Sequence, residues 1–380
     1  MDTILGPECM NSNEKIQGWM PRERFDELFG ALSALGYTCY GPQVRDHAIV
    51  YARITSSGEL PRGVTDAQQP GSYRLTHSEG GRWFDWANGP QALKPLLFAP
   101  RESLWRVARD AQGRLSFTPA AERPAKIALI GARACDLAAL RLQDQHFLEG
   151  AYVDEAYAAR RRNLLVVAVN CTRPASTCFC VSTGDGPRAA SGFDIALTEL
   201  DDGFVAEAGS PVGGEILGTL VFDAASRVQV KDADEAIAQG AQQQVRSLPS
   251  RNLRDVLFDN LDHPRWDDVA ARCLSCGNCT SVCPTCFCHR ETEEPQLDGT
   301  ASGHLREWDS CFTQGHSYIH GLTVRAATRE RYRQWLTHKL GSWHDQYGRS
   351  GCVGCGRCIA WCPVGIDIAE EATALHGGGK

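Results

Sequence analysis

The chain has 380 residues, enough for two or three domains of ordinary size, and its 43% hydrophobic content supports real cores. A net charge of −7 gives no electrostatic case for nucleic-acid binding. Seventeen cysteines point to metal sites in a reducing compartment and not to a disulfide scaffold.

The opening residues show no basic segment followed by an apolar run, so a cytoplasmic location is expected. Residues 1–20 are polar and read as a flexible start. Pro21 opens a helix on which Phe25, Leu28, Phe29, Leu32 and Leu35 recur at helical spacing, with Gly36 as its C-cap. His47 to Ile54 reads as a strand. From Gly58 to Pro100, glycines, prolines and aromatics predict short strands and loops folded onto the domain.

A β-α-β unit follows. Lys126 to Ile130 is one strand, and Asp136 is expected to N-cap a helix carrying Leu137, Leu140, Leu142 and Phe147. Leu164 to Val169 is a second, buried strand, parallel to the first and too short to span a membrane. Cys135, Cys171, Cys178 and Cys180 fall beyond the carboxyl ends of these strands, where ligands gather in such sheets. They are either small buried residues around a tight loop or a candidate third iron–sulfur centre. Asp201-Asp202-Gly203 predicts a hairpin turn. An Ala- and Gln-rich helix is expected over 232–248, and a mixed α/β domain over 21–250.

Residues 251–375 hold the chemistry. Cys273-x2-Cys276-x2-Cys279-x3-Cys283-Pro284 is repeated as Cys352-x2-Cys355-x2-Cys358-x3-Cys362-Pro363. Zinc is the plain alternative for paired cysteines, but two full runs each closed by Cys-Pro favour iron–sulfur. In such runs the fourth cysteine serves the opposite cluster. The expectation is one [4Fe–4S] cluster on Cys273, Cys276, Cys279 and Cys362, and a second on Cys352, Cys355, Cys358 and Cys283. Cys286, Cys288 and Cys311 lie close by, as packing or as ligands of an extra site.

The runs are 69 positions apart, and the insert carries an apolar stripe of Val324, Ala327, Tyr332, Trp335, Leu336 and Leu340. That predicts an all-helical two-cluster domain, similar to the helical ferredoxin modules of succinate dehydrogenase and heterodisulfide reductase. The fold class is therefore α+β, with a mixed α/β domain followed by an all-helical ferredoxin-like one. Arg325, Arg329, Arg331, Arg333 and Lys339 read as the solvated face of the insert helix. His316 and His320 read as a helix face.

Three stretches together resemble a family: Gly131-Ala132-Arg133-Ala134-Cys135-Asp136-Leu137, then Asn170-Cys171 with Thr177-Cys178-Phe179-Cys180, and Cys283-Pro284-Thr285-Cys286-Phe287-Cys288 with Trp308-Asp309-Ser310-Cys311. They resemble the beta subunits of soluble NAD(P)-linked nickel–iron hydrogenases, the sulfhydrogenases. The A subunit of anaerobic sulfite reductase is similar. The resemblance implies a subunit without its own catalytic residues. It would relay electrons between a flavin- and NAD(P)H-linked subunit and a nickel–iron hydrogenase or sulfite reductase subunit. The alternative is a single-chain iron–sulfur reductase with a site at Cys135, Cys171, Cys178 and Cys180; a third reading is a zinc-binding adaptor.

Overall fold

The computed structural model describes residues 17–120, 124–220 and 223–377. Cys9, most of the expected flexible start and the last three residues lie outside them. Among the described residues, an eight-stranded mixed sheet is ordered Asp223–Ala224, Gln17–Pro21, Gly203–Ala208, Ile195–Glu199, Leu164–Val169, Ile127–Ala132, Thr38–Arg45, Ala48–Arg53. The four inner strands from Ile195–Glu199 to Thr38–Arg45 run parallel, and the flanking pairs are antiparallel.

Helices cover both faces. Asp26–Ala34 and Pro211–Thr219 close one face, where Phe25 packs on Trp83 and Phe204. Ala134–Leu148 and Glu155–Arg162 close the other, over Leu129, Val166 and Ala168. With both faces covered, Leu164–Val169 is buried along its whole length, which explains its unbroken apolar run. The β-α-β unit and the hairpin about Asp201-Asp202-Gly203 take the predicted places.

Several local expectations shift. Pro21 ends a strand instead of opening a helix, because residues 17–21 pair with Gly203–Ala208. Asp136 is not the N-cap of its helix: Arg133 holds that position, and its N–H donates to Asp136 Oδ2 at 3.1 Å. The Ala/Gln-rich helix spans Arg227–Gln242. His316 sits in a short 3-10 turn and His320 in a tight hairpin turn at φ +45°, so they share no helix face.

The larger correction concerns the cluster region, which is not all-helical. His289–Pro295 and Ala301–Trp308 form a hairpin inside the insert. Ala301–Trp308 then pairs with Arg101–Arg109, itself paired with Leu115–Pro119, giving a four-stranded sheet. This sheet crosses residue 250. Charged and polar residues dominate the hairpin, so it has no apolar period to reveal it. It gains stability from the neighbouring strand, with His304 stacked on Trp105 at 4.6 Å and Arg306 ion-paired to Glu102 and Asp154.

A short hairpin, Tyr318–Ile319 with Leu322–Thr323, follows, and from Thr328 to Tyr347 the insert is helical. Thr328–Thr337 buries Tyr332, Trp335 and Leu336 in a core shared with Trp266, Leu257, Phe312 and Ile359. The helix continues as a π-helical turn, His338–Ser342, and then Trp343–Tyr347. Lys339 does not belong to a solvated face: it is 3% exposed. Among the described residues, no helix is long and apolar enough to cross a membrane.

Candidate metal centre

The helix Arg265–Arg272 delivers Cys273 as its C-cap, anchored by buried Trp266 and Val269. Gly277, at φ +74°, turns the chain into one helical turn, Asn278–Ser281, which carries Cys279. The second run repeats this, with Gly356 at φ +72° before the turn Arg357–Ala360 that carries Cys358. Glycine enters this left-handed region without the steric cost a Cβ would bring.

The two runs meet crosswise. Cys273, Cys276, Cys279 and Cys362 line one cavity. Cys352, Cys355, Cys358 and Cys283 line another. Cys358 and Trp335 belong to both walls, so the cavities are neighbours. Phe312, Tyr332, Val364 and Ile366 complete the first, and Phe179, Val353 and Ile368 the second. Backbone N–H groups point at three of the sulfurs: Ser275 to Cys273 at 3.4 Å, Ile366 to Cys362 at 3.3 Å and Gly354 to Cys352 at 3.5 Å.

Burial pushes most of these thiols up, Cys352 to about 12 and Cys279 and Cys358 well above the usual value. Cys283 moves the other way. A hydrogen bond with the Cys286 thiol, and then the Lys339 charge, hold it down against burial. Thiols so desolvated release their protons only to a strong cation, which iron supplies. Four sulfurs around an apolar cavity, some receiving N–H bonds, fit a [4Fe–4S] cluster. Among the described residues, no three Cys, His, Asp or Glu side chains are placed to hold a single metal ion.

The N-terminal cysteines are arranged differently. Cys135 and Cys180 pack against Trp343, Val353 and Cys355, and Cys178 packs against Ala87 and Ala175. Cys171 is half-buried. None of the four lines either cavity. They form the seat of the second run: the Phe179 N–H donates to the Gly354 carbonyl at 2.8 Å. A Cβ on Gly354 would stand 2.5 Å from the Cys180 nitrogen, and one on Gly356 would stand 2.4 Å from the Thr177 oxygen. Cys286 serves as hydrogen-bond partner to Cys283, while Cys288 and Cys311 are neighbours whose thiols burial pushes up.

Sequence reading missed a buried polar network that fixes this seat. Arg357 and Asp136 pair at 2.8 Å. Arg357 also donates to the Gly89 carbonyl at 3.0 Å and to Asn88 Oδ1 at 3.1 Å, and Asn88 donates to the Cys355 carbonyl at 3.2 Å. Thr285 is a further omission, and Lys339 is its partner instead of the solvated residue expected: Lys339 Nζ donates to Thr285 Oγ1 at 2.8 Å, which lies 3.2 Å from the Cys283 sulfur. Thr285 sits inside a quoted motif, and Lys339 falls three residues after Leu336, on the apolar stripe, which was the available signal.

Comparison with known proteins matches this region and the whole chain. Residues 272–366 match the 4Fe-4S dicluster domain family. No solved structure matches the chain. A curated relative, the sulfhydrogenase 2 subunit beta of Pyrococcus furiosus, is 28% identical over 359 residues, covering 94% of this chain and 97% of that protein. The resemblance read from the cysteine motifs therefore extends over nearly the full length, and the chain is an iron–sulfur protein similar to a sulfhydrogenase beta subunit.

Proposed function

We propose that the chain is the electron-transfer subunit of a redox complex and carries two [4Fe–4S] clusters. Cys273, Cys276, Cys279 and Cys362 hold one; Cys352, Cys355, Cys358 and Cys283 hold the other. The observation that carries this reading is the crossed lining of the two adjacent cavities, each with the first three thiols of one run and the last of the other, and Cys358 on the wall they share. A bound cluster takes up and returns one electron. The chain's own work is to hold two of them side by side, exclude water with Trp335, Tyr332, Phe312 and Phe179, and aim N–H groups at the sulfurs. Cys276 is the exposed cysteine of the eight, which makes the first site the one facing outward.

The similarity to a sulfhydrogenase subunit supports a place in a multi-subunit complex. The partners proposed are those the motif resemblance implies: a flavin- and NAD(P)H-linked subunit on one side, and a hydrogenase or sulfite reductase subunit on the other. Residues 21–250 would then supply the dock and residues 251–375 the relay, in the cytoplasm. The test is purification of the complex under anaerobic conditions, with iron analysis and mass spectrometry of the co-purifying chains. About eight irons per chain and a nickel- or sirohaem-binding partner are expected. Four irons, or NADPH-driven dye reduction by this chain alone, would overturn the reading.

A further inference from the structure

The two cavities differ in one respect that their identical cysteine spacing conceals. Of all the residues lining them, Lys339 is the one cation, and it lines only the second. It is 3% exposed, its ammonium bonds Thr285 Oγ1 at 2.8 Å, and it stands 4.3 Å from the Trp343 ring centre. Among the described residues it has no carboxylate partner. Lys339 lies in the π-helical turn His338–Ser342, and such turns recur at functional sites.

The other buried cations nearby are differently employed. Arg357 is neutralised by Asp136 at 2.8 Å. Lys94 bonds the carbonyls of Thr280 and Cys283, at 3.5 and 3.4 Å, both in the first run, and lines neither cavity. Near the first cavity, Glu371 is answered by Arg265 and Arg272. The one cation that lines either cavity is therefore on the side of the second.

We propose that Lys339 is a redox-positioning residue that sets the reduction potential of the inner site, built from Cys283, Cys352, Cys355 and Cys358, above that of the outer site. Reduction adds one negative charge. A fixed cation at the wall of a low-dielectric cavity stabilises that charge far more than it would in water. The outer site, walled by Leu274, Phe312, Tyr332 and Val364 and open at Cys276, has no such help. The inner site thus holds the electron at rest, and the outer one passes it across the surface. This inference rests on the two-cluster reading.

The experiment is a redox titration of the complex followed by electron paramagnetic resonance, comparing wild type with Lys339→Met and Lys339→Gln. Gln keeps a donor for Thr285 without the charge, and Lys339→Arg restores the charge. In the neutral variants the higher-potential transition should fall, lowering its reduced-to-oxidised ratio at fixed poise about tenfold, which is about 59 mV. The lower transition should stay, iron should remain at the wild-type value, and Arg should move the ratio back. If either neutral variant keeps its iron and shows no shift, or shifts the lower transition, the inference is overturned. Wild-type protein with only four irons would instead sink the two-cluster reading before any variant is compared.

Discussion

Two groups of cysteines in this chain look alike in composition and differ in what surrounds them. The eight of the C-terminal runs stand around cavities. Cys135, Cys178 and Cys180 stand in packed protein, against Trp343, Val353, Ala87 and Ala175. The first arrangement leaves room for inorganic atoms; the second fills the room with side chains. The N-terminal group lies against the second run, and three of its cysteines are packed among side chains instead of lining a cavity. Cysteine density therefore marks where the chemistry is close, and only the cavity separates ligand from packing.

The comparison can be broken most directly at its crossed ligands. Cys362→Ala should remove the cluster of the Cys273, Cys276 and Cys279 site, halving iron to about four per chain while leaving the other signal. Loss of the Cys352, Cys355 and Cys358 site instead would uncross the assignment. Arg357→Met should come next in size. It leaves Asp136 as an unpaired buried charge, at a cost of about 3–5 kcal/mol in denaturant unfolding. Gly356→Ala should cost about 2–4 kcal/mol, since its Cβ meets the Thr177 oxygen at 2.4 Å and its φ is +72°. The same substitution at Gly303, where a Cβ meets nothing, is the control.

Cys178→Ala sharpens the contrast at lower energy. It should cost about 1 kcal/mol and leave the iron content untouched; a fall in iron would return that cysteine to the ligands. The smallest effect is one of pH. His146, stacked on Phe287 at 3.5 Å and bonded to Tyr347 at 2.8 Å, is pushed down to about 4 by burial. Folding therefore favours its neutral form. That stability is complete above the unfolded value near 6.5 and is lost as pH falls from there towards 4. Between pH 6.5 and 5, His146→Gln should lose less stability than wild type; equal losses would remove His146 as a contributor.

The sequence made the repeating and the periodic parts legible. The doubled runs, the β-α-β unit and the buried strand Leu164–Val169 all follow from spacing or continuous hydrophobicity. The hairpin 289–308 was illegible because its strands, one exposed and one half-buried, carry Glu, Arg and His where a buried strand would carry an alternating apolar set. Lys339 was misread for a related reason. A helical stripe of Tyr332, Trp335 and Leu336 includes position 339, but a lysine there reads as solvent-facing until its partners, fifty residues away in sequence at Thr285, are known. The Asp136–Arg357 pair joins residues too far apart for any local pattern to connect.

The four-stranded sheet has a consequence for synthesis. Arg101–Arg109 has Leu115–Pro119 on one side from the start, but its other edge waits for Ala301–Trp308, almost two hundred residues later. At about 5–20 residues per second, a ribosome leaves that edge unpaired for roughly 10–40 seconds. An open strand edge bearing Trp105 and Val107 is a template for pairing with another nascent chain. A product stopped at residue 250 would keep that edge open permanently, so it should be recovered as aggregate even though its large sheet is complete.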